Sequence, residues 1–302
     1  MDFRTRLRRS ATVLVTCLAV GAGCSDSTGP EGPVDLPYAI AFDSMRTGNR
    51  DIFVLWPDGR LTQVTSHGAF DGSPDWSPDG QMFAFYTSRT GDTEIFVCNV
   101  DGSNPINLTN HDRDDAHPDW SPDGTKIAWH SDRDGLWDVW MMNADGTEPT
   151  NLTDGIEGEH GYPAWSPDGL RIAFHSILPD RTNIFVMNAD GSNLQRLTDI
   201  MVFDGRPAWS PDGSMIAFES DRAGKMDLYV MNIDGSDIRS LVADTAFEAS
   251  AAWSPDGAWI AYSRLESATD ADIYVVQPDG SGKKAVTRHG AYDAWPDWRP
   301  LR

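Results

Sequence analysis

Hydrophobic and polar positions in this chain alternate in short bursts, with no helical period. Arg171-Ile172-Ala173-Phe174-His175 sets large and small apolar residues on opposite sides of an extended segment, the two-residue period of a strand packed between sheets. Before it, Pro163-Ala164-Trp165-Ser166 reads as a short first strand. Ser166-Pro167-Asp168-Gly169 then places Ser, Pro and Gly where a type I turn takes them. After a polar loop, Asn183-Ile184-Phe185-Val186-Met187 is β-branched and aromatic and predicts a third strand. Asn188-Ala189-Asp190-Gly191 closes a second turn, and Leu194 to Thr198 is a weaker, polar strand suited to an outer edge.

This unit repeats. Trp-Ser-Pro-Asp-Gly begins at Trp76, Trp120, Trp165, Trp209 and Trp253, in steps of 44, 45, 44 and 44 residues. The second strand type recurs at Ile40, Phe83, Ile127, Ile172, Ile216 and Ile260. The third recurs near Asp51, Glu94, Asp138, Asn183, Asp227 and Asp272, and the fourth at Leu61, Ile106, Thr150, Leu194, Ile238 and Ala285. Only the Trp strand is one short at the N-terminal end, and the orphan Trp295-Pro296-Asp297-Trp298 supplies it. The pattern predicts an all-β, six-bladed propeller of four-stranded antiparallel blades over residues 38–302, with the C-terminal strand completing the first blade and closing the ring.

Ahead of the repeats, Arg4, Arg6, Arg8 and Arg9 precede an apolar run from Ala11 to Ala22 too short to span a bilayer, the pattern of an export signal over residues 1–24. It ends in Gly21-Ala22-Gly23-Cys24, which resembles the lipobox of a bacterial lipoprotein with Cys24 as the lipidated residue. Residues 25–37 read as a flexible tether. The remaining Cys98 stands where other repeats carry Met142, Met187 and Met231, so a small buried hydrophobe is expected there and no disulfide framework.

Acidic side chains outnumber basic ones 46 to 24, a formal charge of -22 over 302 residues. That charge repels nucleic acid and anionic membrane surfaces and favours a cationic partner. Membrane contact is expected only through the anchor, and the state expected is a monomer.

The pattern P-x-W-S-P-D-G, I-A-F-x-S, I-Y-V-M-N-x-D-G, x-L-T is similar to the PD40, or WD40-like, repeats of the TolB propeller family, over about residues 38–300. The resemblance implies a periplasmic scaffold that binds other envelope proteins and has no reaction of its own, with the Trp strand innermost. Proteins of that family carry an α/β domain before the propeller, whereas here a tether is expected before Tyr38.

Function is sought where the copies differ. Three residues before the Pro of P-x-W, or before Ala251 in its place, stand Asp71, Asp115, His160, Asp204, Glu248 and Asp293. At a channel mouth they would form a ring of carboxylates and one imidazole, suited to a basic peptide segment or to a divalent cation such as calcium. Equally, each can bond nearby backbone N–H groups and simply fix its loop. His67, His111, His117, Tyr162, Arg206 and Tyr292 vary from blade to blade and are the candidates for partner-specific contacts. Asp112, Asp114, Asp115 and His117 crowd one loop where a metal could bind. His130, His175 and Glu219 share one strand position and are expected to pair within the sheets. No G-x-S-x-G, H-E-x-x-H or P-loop occurs. The enzyme alternative is a carbohydrate-active lyase or hydrolase using the channel-mouth His and carboxylates with a divalent metal.

Overall fold

A computed structural model describes residues 36–242 and 244–301. The leader with Cys24 and the tether as far as residue 35 lie outside the described residues. Leu36, expected in the tether, is 3% exposed and packs with Phe53, Leu55, Val286 and Trp298.

The described residues form six four-stranded antiparallel sheets. Blade 2 runs in chain order through Asp71–Trp76, Met82–Thr87, Glu94–Asn99 and Ile106–Asn107. Blades 3 to 6 repeat that order. Blade 1 departs from it: Asp293–Trp298 pairs antiparallel with Ile40–Ser44, with Ile40 opposite Trp298, so the C-terminal strand closes the ring as the repeat count predicts. The six Trp strands touch one another around the axis and are the innermost strands.

The core is divided among the six seams between blades. At the seam of blades 1 and 2, Trp76, Phe83, Phe85 and Phe96 pack on Ala41, Ile52 and Val54. At the next, Ala84 and Ile95 meet Ile127 and Trp129. The Ile-Ala-Phe alternation therefore has a direction: large residues point to the preceding blade, and Ala offers the following blade a shallow surface. Burying one such Phe contributes about 2–3 kcal/mol.

The Ser-Pro-Asp-Gly turns form as expected. In Ser77 to Gly80 the Gly80 N–H donates to Ser77 O at 2.7 Å, while Asp79 Oδ1 accepts from Ser77 Oγ at 2.6 Å and from the Gln81 N–H at 3.0 Å. These turns and the Asp-Gly turns between third and fourth strands occupy one face of the disc, the turn face. The lead-in loops to the Trp strands and the second-to-third-strand loops occupy the other, the loop face.

Candidate functional site

Each Trp strand carries a bulge where it passes the axis. In blade 2, Gly72 pairs with Tyr86 and Asp75 with Ala84, so Ser73 and Pro74 together stand opposite the single residue Phe85. Pro, lacking a donor, is tolerated at such a position. The bulge turns its first residue, which precedes Pro in five blades and Ala251 in blade 6, into the left-handed region, with φ between 49° and 56° at Ser73, His117, Tyr162, Arg206, Ser250 and Trp295. That conformation costs about 1–2 kcal/mol per non-glycine residue.

A cross-blade bond holds several of these bulges. Asp43 Oδ2 accepts the Ser73 N–H (3.0 Å), His130 Nδ1 the Tyr162 N–H (3.0 Å), Glu219 Oε1 the Ser250 N–H (2.6 Å) and Ser263 Oγ the Trp295 N–H (3.1 Å). His130 thus bonds the next blade rather than its own sheet, whereas Glu219 does both, bonding the next blade through Oε1 and pairing within its own sheet with Arg206 through Oε2. Burial holds the His130 imidazole down at about 3, so it remains a neutral acceptor.

Four bulge side chains plug the channel. His117 lies 4.3 Å, ring to ring, from both Tyr162 and Trp295, which stack at 5.7 Å. The Arg206 guanidinium sits 4.9 Å from the Tyr162 ring and 5.1 Å from the Trp295 ring, and pairs with Glu219 at 2.6 Å. Burial and the neighbouring His130 and Arg206 hold His117 well below the usual imidazole range.

Between this plug and the turn face lies a cavity of about 240 Å³. Its lining is split. Blades 1 to 3 contribute Asp297, Asp75 and Asp119, whereas blades 4 to 6 contribute Ala164, Ala208 and Ala252 at the equivalent positions. The carboxylates also close seams: Asp297 accepts the Trp76 N–H (2.8 Å), Asp75 the Trp120 N–H (2.6 Å) and Asp119 the Trp165 N–H (2.6 Å). Where Ala stands, the indole does this. Trp209, Trp253 and Trp298 donate Nε1–H to the carbonyls of Ala164, Ala208 and Ala252 at 3.0, 3.2 and 3.1 Å. Burial raises all three acids, Asp119 and Asp297 to about 7; repulsion from the neighbouring acids adds to it at Asp75 and Asp119, while hydrogen bonds, among them one from Asp75, oppose it at Asp297. No ion pair reaches them among the described residues. The Asp-or-Ala choice in P-x-W is visible in the sequence but falls inside the motif that looked purely architectural.

The six ring residues lie elsewhere. Asp71, Asp115, His160, Asp204, Glu248 and Asp293 are at most 1% exposed and turn into the blades rather than onto the channel. Four of the acids meet a cation of their own blade, Asp71 with Arg89 (2.9 Å), Asp115 with Arg133 (2.8 Å), Asp204 with Arg222 (2.9 Å) and Asp293 with Arg46 (2.8 Å), whereas Glu248 meets Lys225 of the preceding blade (3.5 Å). The arginines also cover the core aromatics, as Arg133 does Trp129 and Trp140. His160, in blade 4, lies edge-on to Phe174 at 5.7 Å and is held neutral by burial. Ser/Thr-x-Arg after the second strand in blades 1, 2, 3 and 5, replaced by Ser176-Ile177-Leu178 in blade 4 and Arg264-Leu265-Glu266 in blade 6, is the sequence signal for this pairing.

Of the blade-specific candidates, the structure brings His117, Tyr162 and Arg206 together in the plug. His67 and His111 stand apart on the loop face, and Tyr292 lies under Arg50 at 5.1 Å. Trp295 and Arg50 were not singled out from the sequence. Asp112, Asp114, Asp115 and His117 do not converge: Asp114 accepts from Thr93, Asp115 holds Arg133, and His117 Nδ1 is 2.9 Å from Ser73 Oγ. Among the described residues no three His, Cys, Asp or Glu side chains stand close enough to hold a metal ion. Cys98 is buried, and burial pushes its thiol up to about 12.

A family model described as PD40, TolB beta propeller domain, matches residues 37–158 and 151–301. A Protein TolB homolog from Chlorobium luteolum (strain DSM 273 / BCRC 81028 / 2530) is 36% identical over 80 residues, 26% of this chain and 17% of that relative, so the match spans a small part of its length. The crystal structure of TolB from Acinetobacter baumannii superposes with a TM-score of 0.79 at 21% identity, over 89% of this chain and 68% of that one. Putative TolB from Agrobacterium tumefaciens gives 0.70 at 18% identity, over 87% and 99%. At these identities the solved structures speak for the fold.

Proposed function

Because the chain belongs to the PD40 family of TolB β-propeller domains, we propose that it is an exported, lipid-anchored scaffold of the cell envelope whose axial cavity binds a segment of a protein or peptide partner. The observation that carries this reading is the split lining of the cavity. Three carboxylates without a cation of their own face three alanines, above a floor of His117, Tyr162, Arg206 and Trp295. A lysine or arginine side chain matches both halves, with its aliphatic stem along the alanines and its charge at Asp75, Asp119 and Asp297. The leader and Cys24 support export and anchoring, and the net charge of -22 supports a cationic ligand. His67, His111 and Tyr292 offer a second set of contacts on the loop face, where the buried ring residues brace the loops. The enzyme alternative has no set of side chains behind it among the described residues.

The test is capture from an envelope fraction with the wild-type propeller as bait, beside Asp75→Asn/Asp119→Asn and Tyr162→Ala. A genuine cavity ligand loses at least about tenfold in affinity with either variant, since buried charge and aromatic contacts each carry more than about 1.4 kcal/mol. A partner retained by both variants but lost with His67→Ala/His111→Ala places binding on the loop face and overturns the cavity reading.

A further inference from the structure

The point at which the chain joins the propeller fixes how an anchored molecule stands on its membrane. Leu36 is buried against Trp298, and the Tyr38 ring meets Trp298 edge-on at 6.3 Å. The Tyr38 hydroxyl donates to Asp256 Oδ2 at 3.3 Å, in the Ser-Pro-Asp-Gly turn of blade 6, and Ala39 O accepts the Arg299 N–H at 2.9 Å. Ile40 pairs with Trp298 at the turn end of blade 1, while Ser44 pairs with Asp293 at the loop end. The chain therefore enters from the turn face, beside the inner strands rather than at the rim.

Leu36 follows Cys24 by twelve residue steps. Fully stretched they reach about 40 Å. Turning the loop face to the bilayer would require the tether to run out past three strands, about 15 Å, and then up the height of a six-residue strand, about 20 Å, before reaching lipid. That path uses nearly the whole of the maximum reach, at a large cost in chain entropy, whereas the opposite orientation requires no such extension.

We propose that the protein, when anchored through Cys24, holds its turn face and cavity mouth toward the bilayer and its loop face away from it. This rests on the anchored-scaffold reading and narrows its partner. The turn face carries an Asp in every turn, such as Asp101, Asp123, Asp190 and Asp234, which hydrogen bonds within the turns hold below the usual carboxylate range and therefore ionised. Anionic lipid repels such a surface over a Debye length of about 8 Å, so the disc stands off within the slack of its tether. A gap of that size admits an extended segment to the cavity and excludes a folded domain. Folded partners meet the loop face, where Met201 is 70% exposed.

The orientation is measured by energy transfer from a fluorophore to headgroup-labelled lipid in phosphatidylcholine/phosphatidylglycerol vesicles. The fluorophore is placed at Leu170→Cys, on the turn face and 67% exposed in the wild type, or at Met201→Cys on the loop face, each in a Cys98→Ala background. The mature lipidated chain is used, and its anchoring is scored first by flotation beside Cys24→Ser. If flotation shows no anchoring, the anchored reading fails by itself. Orientation is then read on the chain beginning at Cys24, condensed through that N-terminal cysteine's amine and thiol with an aldehyde-bearing lipid to a thiazolidine with loss of water, which leaves the thiol at position 170 or 201 for the fluorophore. Transfer at least about twofold greater from position 170 than from 201 is expected for two sites separated by the roughly 20 Å height of a blade. Equal transfer, or greater transfer from position 201, overturns the proposal.

Discussion

At the scale of single residues, two glycines separate backbone strain from packing. Gly59 and Gly102 occupy the same turn position in successive blades, with φ of 80° and 78°. A Cβ at Gly59 meets nothing within 4 Å, whereas one at Gly102 falls 1.9 Å from the backbone oxygen of Val64 in the preceding blade. Gly59→Ala should cost about 1 kcal/mol, the left-handed penalty alone. Gly102→Ala should cost at least about 2 kcal/mol more, because neither backbone can yield. Urea unfolding of the two variants tests the difference, and equal midpoints would show that the blade seam gives way easily. The buried pairs make a second case. Arg133→Ala leaves Asp115 charged and enclosed and should cost about 3 kcal/mol, more than the double variant Arg133→Met/Asp115→Asn, which removes both charges.

At the scale of the element, a blade is completed by its neighbours, and the seams are of two kinds. Seams bonded by Asp297, Asp75 and Asp119 hold acids whose protonation is stronger in the folded state than in the unfolded chain. Folding therefore retains protons that the unfolded chain has already released above about pH 4. The stabilising contribution is complete below the unfolded value and is lost as the pH rises to about 7. His117, His130 and His175 act in the opposite sense: their lowered values favour the fold above the ordinary imidazole range and are a liability as the pH falls. Changing all three acids to Asn keeps a seam acceptor and removes only the first trend. The variant's melting temperature should gain on that of the wild type between pH 5 and pH 8. A constant offset across that range would mean that the triad carries no linked proton.

At the scale of the whole molecule, closure couples the two ends of the chain. Asp293–Trp298 is the inner strand of blade 1 and also packs against the inner strands of blades 2 and 6. Removing residues 290–302 therefore opens two seams at once and exposes Ile40 and Phe42. The truncated protein should lose its single cooperative transition and bind a hydrophobic dye before heating. Melting like the intact chain would refute closure as a source of stability. The same ring defines the function proposed for it, since the acid-and-alanine cavity exists only when six Trp strands meet around one axis.

Local chemistry in the sequence determined the unit and its number. Ser-Pro-Asp-Gly makes its turn from hydrogen bonds within a few residues, and Ile-Ala-Phe is a strand because its two faces differ, so blade count, strand order and the closing strand are legible without coordinates. Side-chain direction at the bulges was not legible. Asp71 and Asp75 are both acids four residues apart in one strand, yet the first turns onto Arg89 and the second into the cavity. The left-handed residue between them, Ser73, reverses the strand's alternation, and it is held there by Asp43 of another blade. Only the tertiary structure could assign these roles, because the bonds that hold a bulge, a seam bond and a shared proton each depend on groups 30 residues or more apart in the chain.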